Sequence, residues 1–234
     1  SKKIASGANK IVIDVTVGKG AFMKNREDAQ KLAEQMIRIG KLAGREVRCV
    51  LTPMDEPLGY AVGNSLEVIE AINFLKGNMP KDLKDVVLEL GANMLQLAGK
   101  GENIEENKLK MLKNIENGAA FNKFEEMVKN QGGDISYLED TTKFKKSKYT
   151  IAVVAKEDGT VKEINAEEIG KLACYLGAGR VNKDDKIEPD VGIVLNKKVG
   201  DEVMVNDFLA YICGNDENKV HESEKKILEI YKIS

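Results

Sequence analysis

The run "KIVIDVTVG", residues 10–18, is apolar, rich in β-branched residues and closed by glycine, the pattern of a buried strand in a parallel sheet. The next segment, "REDAQKLAEQMIRIGKLAG", sets Ala29, Leu32, Ala33, Met36, Ile37 and Ile39 at helical spacing and stops at Gly44. "EVRCVLT" then predicts a second strand over 47–52, which makes a βαβ unit with a right-handed crossover. "MDEPLGYAVGNSLEVIEAINFLKG", residues 54–77, predicts a turn with two glycines that then becomes a helix. It would start near the carboxyl end of a strand, where open α/β sheets place their ligands. Residues 81–130 carry three apolar helical stripes, each with a glycine stop.

The polar stretch "YLEDTTKFKKSK" reads as a connection to a second unit, after which the period changes. "YTIAVVAKEDGTVKEI" predicts two strands around a turn at Asp158 and Gly159. "NAEEIGKLACYLGAGR" predicts a short helix capped by Asn165. "VGIVLNKKVGDEVMVNDFLAYI" predicts two or three more strands, and "NKVHESEKKILEIYKIS" an amphipathic helix with a final short strand. Periodicity alone therefore gives an α/β unit with a β-rich tail.

Composition narrows the class. The 234 residues suffice for a real core, in one large domain or two modest ones. A hydrophobic content of 42% with 32% charged residues is ordinary for a soluble globular chain. The net charge of −2 gives no general attraction to nucleic acid or an anionic membrane. No apolar run approaches the roughly 20 residues that span a bilayer. Cys49, Cys174 and Cys213 are odd in number and far apart, which argues against a disulfide framework and leads to the expectation of a reducing, cytoplasmic setting. With His221 as the single histidine, a zinc cluster is not expected. The opening "SKKIASGANKIVIDV" has no methionine and starts as if inside a helix, so a piece of a longer protein is expected.

Three local patterns carry possible chemistry. In "PLGYAVGNSLEVIE", Asn64 or Ser65 with Glu67 reads as a helix cap. A phosphate cradle there lacks the Lys-Ser/Thr ending, and Glu67 and Glu70 would repel an anion. "DVTVGKGAFM" reads as a tight glycine turn. In "LNKKVG", Lys197 and Lys198 stand where a biotinyl- or lipoyl-type carrier would hold its modified lysine, without the flanking pattern such carriers need. Arg180 and His221 read as surface residues.

"SKKIASGANKIVIDVTVGKGAFM", "MDEPLGYAVGNSLEVIEAINFLKG" and "LGAGRVNKDDKIEPDVGIVLNKKVGDEV" resemble, in order, stretches of the pyrimidine-nucleoside phosphorylase and thymidine phosphorylase family. The likeness covers essentially the whole chain. It departs from the family's usual pattern at Thr16, where a lysine is common, and at Pro53, Asp55 and Glu56. It implies an α/β fold with a parallel-type sheet and flanking helices, of the nucleoside phosphorylase and phosphoribosyltransferase kind, followed by a carboxyl-terminal α+β barrel-like module. The implied division is a remnant of a helical domain over 1–8, an incomplete central α/β domain over 9–140 and the module over 149–234.

The implied activity is phosphorolysis of uridine, thymidine or deoxyuridine to free base and (deoxy)ribose 1-phosphate, in nucleoside salvage. Phosphate is the co-substrate, and the full-length protein is implied to be a homodimer. The resemblance gives Lys2 the role of contacting the pyrimidine's carbonyl oxygen. It gives the backbone oxygens of Leu58 and Ala61 and the carboxylate of Glu70 to a structural potassium ion, and sets Gly18, Gly20 and Phe22 near the base pocket. It implies no catalytic residue here: the family's helical domain and phosphate loops have no counterpart in this chain, which is expected to be inactive alone with its cation site incomplete. The alternatives are another phosphorylase or phosphoribosyltransferase of similar fold, and a non-enzymatic carrier module.

Overall fold

A computed structural model describes residues 2–234. One helical turn, α1 (Lys2–Ala5), leads into β1 (Lys10–Val17), α2 (Arg26–Leu42) and β2 (Glu46–Pro53). The expected βαβ unit is present, and β1 and β2 pair in parallel from Lys10 opposite Glu46 to Val17 opposite Pro53. Asn25 starts α2 by accepting the Asp28 amide, and Ala29 and Ala33 of that helix bury against Val15. The other face of the strand pair is covered by α4 (Lys81–Leu97), reached through β3 (Ala61–Gly63) and α3 (Asn64–Leu75). Helices α5 (Ile104–Glu116), α6 (Ala119–Asn130) and α7 (Ser136–Glu139) complete the helical middle.

Past a 3-10 turn at Thr141–Lys143 come β4 (Tyr149–Val154), β5 (Gly159–Ile164) and α8 (Ala166–Ala173), which Asn165 caps as expected and which widens into a π turn at Cys174–Ala178. The chain closes with β6 (Gly192–Leu195), β7 (Glu202–Val203), β8 (Phe208–Gly214), α9 (Glu217–Ile230) and β9 (Tyr231–Ile233). Their inward faces form the larger core, around Val153, Ile164, Ile193, Leu209, Ile212 and Ile227.

The fold is mixed α/β, but its sheets differ from the expectation. Among the described residues parallel pairing is limited to β1 with β2 and an isolated bridge between Val17 and Met23; a four-stranded sheet, β3-β6-β8-β4, and a three-stranded one, β7-β5-β9, are antiparallel throughout. The turn at Asp158 and Gly159 does not make a hairpin, because β4 pairs with β8 while β5 pairs with β7 and β9. The helix after the two-glycine turn starts at Asn64, and residues 61–63 of that turn are drawn into the four-stranded sheet by β6.

The loops at the carboxyl ends of β1 and β2 are tied to α8 and β5. The Ala166 amide donates to the Asp55 carbonyl at 3.0 Å, Lys24 pairs with Glu167 at 2.8 Å, and Lys19 with Glu163 at 2.5 Å. Lys24 first, and then Lys171, hold the Glu167 carboxyl down at about 2, below its ordinary 4.5. A depressed carboxylate contributes stability above its ordinary value and loses that contribution as pH falls from 4.5 toward 2. The stability gap between the protein and Glu167→Gln is therefore expected to close across that window, and to narrow in high salt because the pair is solvent-exposed. Urea unfolding at a series of pH values checks this; a gap that stays constant through acid contradicts it.

Candidate functional site

The parallel pair delivers its carboxyl ends to one place. There the glycine loop after β1 locks onto the turn after β2: the Met54 amide donates to the Val17 carbonyl and the Gly20 amide to the Met54 carbonyl, both at 2.7 Å. Gly18 has φ +134, and a Cβ there would lie 2.7 Å from the Asp55 amide nitrogen. Close approach thus accounts for the two glycines, in line with the tight-turn reading. Phe22, 91% exposed, stands clear of this packing.

The next turn, 57–61, is held from three sides. Glu70, projecting back from α3, accepts the Tyr60 amide through Oε1 at 2.8 Å and the Ala61 amide through Oε2 at 3.4 Å. Asp82, at the start of α4, accepts the Gly59 amide at 3.0 Å. Lys198, from the loop between β6 and β7, donates to the carbonyls of Pro57 and Gly59 (2.9 Å to the latter) and to Asp82 Oδ2 at 2.9 Å. The Leu195 amide takes the Tyr60 carbonyl at 2.8 Å. In an antiparallel ladder alternate residues face the partner strand. Ala61 therefore turns its backbone groups to the free edge of β3, where its amide meets Glu70.

Burial pushes the Glu70 carboxyl above its ordinary value, against the pull of the Tyr60 and Ala61 amides. Burial acts on Asp82 in the same sense, but there the Lys198 ammonium and the Leu83 and Gly59 amides outweigh it and the carboxyl lies low. Lys198 hydrogen-bonds Asp82, whereas the hydrogen-bond donors to Glu70 are the neutral Tyr60 and Ala61 amides.

Leu58, Ala61 and Glu70 share the wall of one cavity of about 470 Å³, with Gly20, Met54 and Ala166. Backbone oxygens beside a half-buried carboxylate make an all-oxygen donor set, the kind hard cations take. Those residues fit a weakly held monovalent ion. Among the described residues no group of three or more His, Cys, Asp or Glu side chains is placed to hold a metal ion. Lys2 is exposed on α1 and is not on the wall of this cavity, nor of the larger one of about 650 Å³ between β2 and α4.

The cap reading of Asn64 and Ser65 is corrected. Gly63 takes the cap position without a side-chain bond, Asn64 donates to the Ala178 carbonyl at 2.7 Å, and Glu67 accepts the Gly63 amide at 3.0 Å. Both carrier-type lysines are engaged: Lys198 as above, and Lys197 with the Glu202 carbonyl at 3.0 Å and Asp207 at 3.5 Å. Asp82 is a site residue that the pattern of the sequence did not single out, and Lys198 drew notice there only as a carrier-type lysine and not as Asp82's partner. They lie 116 positions apart and carry no local signal.

Residues 1–121 match the family model described as "Glycosyl transferase family, a/b domain", and residues 160–234 match "Pyrimidine nucleoside phosphorylase C-terminal domain". The chain belongs to that glycosyl transferase family. Its carboxyl-terminal match is to a domain described by the name of the pyrimidine nucleoside phosphorylases. It is 48% identical over all 234 residues to a pyrimidine-nucleoside phosphorylase of Bacillus subtilis (strain 168), covering 54% of that protein. It is 46% identical over 227 residues to a protein of the same name from Staphylococcus aureus (strain bovine RF122 / ET3-1), covering 52% of it. The chain thus spans about half the length of the curated relatives it matches.

Proposed function

We propose that this chain is the α/β lobe and carboxyl-terminal module of a pyrimidine-nucleoside phosphorylase. In this reading phosphate attacks the anomeric carbon of the nucleoside, the glycosidic bond breaks, and the products are a pentose 1-phosphate and a free pyrimidine. The observation that carries it is the end-to-end likeness, at 48% identity, to the Bacillus subtilis pyrimidine-nucleoside phosphorylase. Lys2 is assigned to the departing base. As the bond breaks, negative charge grows on the ring and its carbonyl oxygen, and an ammonium there favours the transition state over the bound substrate. No covalent intermediate is invoked; positioning and charge stabilisation carry the step.

Leu58 and Ala61, through their carbonyls, and Glu70, through its carboxylate, are proposed to help hold a potassium ion. That ion supplies positive charge that fastens neighbouring backbone and takes no part in bond breaking. We read β1 and β2 as part of a larger parallel-type sheet, with the chain divided over 9–140 and 149–234 and the second part barrel-like. The complete protein is read as a cytoplasmic homodimer.

The test is an assay of free uracil or thymine from uridine or thymidine. The chain of 234 residues alone is expected to release none. Joined to the amino-terminal half of the Bacillus subtilis relative, it is expected to release base only when phosphate is supplied. A folded fusion that releases nothing, or that acts on nucleoside monophosphates with pyrophosphate instead, overturns the proposal. Base release by the chain alone refutes the division of labour.

A further inference from the structure

The hydrogen bonds around the 57–61 turn fall into an alternation. Lys198 takes the Pro57 and Gly59 carbonyls, and the Leu195 amide takes that of Tyr60. The carbonyls outside these three bonds are those of Leu58 and Ala61, residues that line the cavity with Glu70, as Pro57 also does. Resting on the cation reading above, we propose that Lys198 is a positioning residue for that nest. Supplied by the carboxyl-terminal half of the chain, it fixes the turn so that the Leu58 and Ala61 oxygens are left to an ion.

The ammonium is built for this work. Its three N–H groups meet three acceptors, Pro57 O, Gly59 O and Asp82 Oδ2, which exhausts its donor capacity. The side chain is only 12% exposed, so little water competes. Its own loop is tied down: the Lys198 amide donates to Asp201 at 2.7 Å, the Val199 amide to Glu56 at 3.0 Å, and Tyr231 Oη to the Lys197 carbonyl at 3.0 Å. A lysine held at both ends imposes one conformation on the turn it grips, and ordering ligands before the ion arrives removes an entropic cost from binding.

Charge is allotted to match. Asp82 at 2.9 Å and Glu56 at 3.6 Å face the ammonium. Groups that orient ligands without touching the metal commonly change metal affinity 10- to 100-fold when removed.

The experiment measures the rise in melting temperature of the fusion to the amino-terminal half of the Bacillus subtilis relative, in potassium chloride against tetramethylammonium chloride at equal ionic strength. Lys198→Met is expected to weaken the apparent potassium affinity about 10- to 100-fold. Lys197→Met, which removes an ammonium from the same loop, is expected to leave it unchanged. The sign discriminates. If Lys198 were merely a nearby positive charge, its loss would tighten potassium binding; if it positions the oxygens, its loss weakens it.

Unchanged or tighter binding in Lys198→Met overturns the inference while the cation site stands. A parent fusion that folds and does not distinguish potassium from tetramethylammonium overturns the cation reading and this inference with it. Should Lys198→Met not fold, Asp82→Asn decides by the same criterion, since it loosens the ammonium but keeps an oxygen for the Gly59 amide.

Discussion

Gly192→Ala is expected to lower unfolding free energy by about 2–6 kcal/mol, by separating β3 from β6. Gly192 has φ +150 and sits opposite Gly63, itself at φ +154. A Cβ on Gly192 would fall under 3.0 Å from the Val62 carbonyl oxygen and 3.1 Å from the Gly63 Cα. Both obstacles are backbone, so neither can swing aside as a flexible side chain would. The strained dihedral contributes about 1–3 kcal/mol and the overpacking a similar amount. Against a total stability of about 5–15 kcal/mol this is a large fraction. Urea unfolding checks it, and a loss below about 0.5 kcal/mol, the size of an ordinary surface change, refutes it. Because β3 carries Ala61, the variant is also expected to lose whatever response to potassium the parent shows.

Gly59→Ala is expected to cost about 2–3 kcal/mol, in two separable parts. The first is left-handed backbone: Gly59 has φ +71, which disfavours any Cβ by about 1–2 kcal/mol. The second is the carboxylate, because the new methyl would lie 3.0 Å from Glu70 Cδ and closer still to Oε2. Glu70 would have to release the Tyr60 and Ala61 amides to make room. Gly44→Ala isolates the first part: Gly44 has φ +68 and open space within 4 Å of a built Cβ. The difference between the two variants measures the Glu70 contact, expected at about 1 kcal/mol or more. Equal losses, from parallel urea titrations, contradict the view that Glu70 is pinned beneath this turn.

Much of the local structure was legible. The strand over 10–18, the helix that follows it and the helical run from 81 to 130 stand where their periods put them, because burying one face is a local demand. Asn165 caps its helix through the Glu167 and Glu168 amides, a bond that spans three residues. Pairing was not legible. β3 is three residues long and its partner lies some 130 positions away, so no window of sequence contains both. The strands either side of Gly159 have the look of a hairpin, yet each finds its neighbour elsewhere, since alternation tells which face is buried and not which strand lies alongside.

The site divides the same way. Leu58, Ala61 and Glu70 came from a family likeness, and the structure sets them on one cavity wall. Lys198 invited attention as one of two adjacent lysines before a glycine turn, and its actual partners, Pro57, Gly59 and Asp82, are distant in the chain. Arg180, which donates to the Asp185 carbonyl at 3.2 Å, and the exposed His221 are surface residues as expected.

The four-stranded sheet takes one strand from before residue 140 and three from after it. A protease cut in the polar connection would thus sever the covalent thread without parting the pieces, which stay stitched by a shared ladder and by Lys198 across the seam. Shuffling the two halves among relatives as independent cassettes would break that seam unless the 57–63 turn travelled with its lysine.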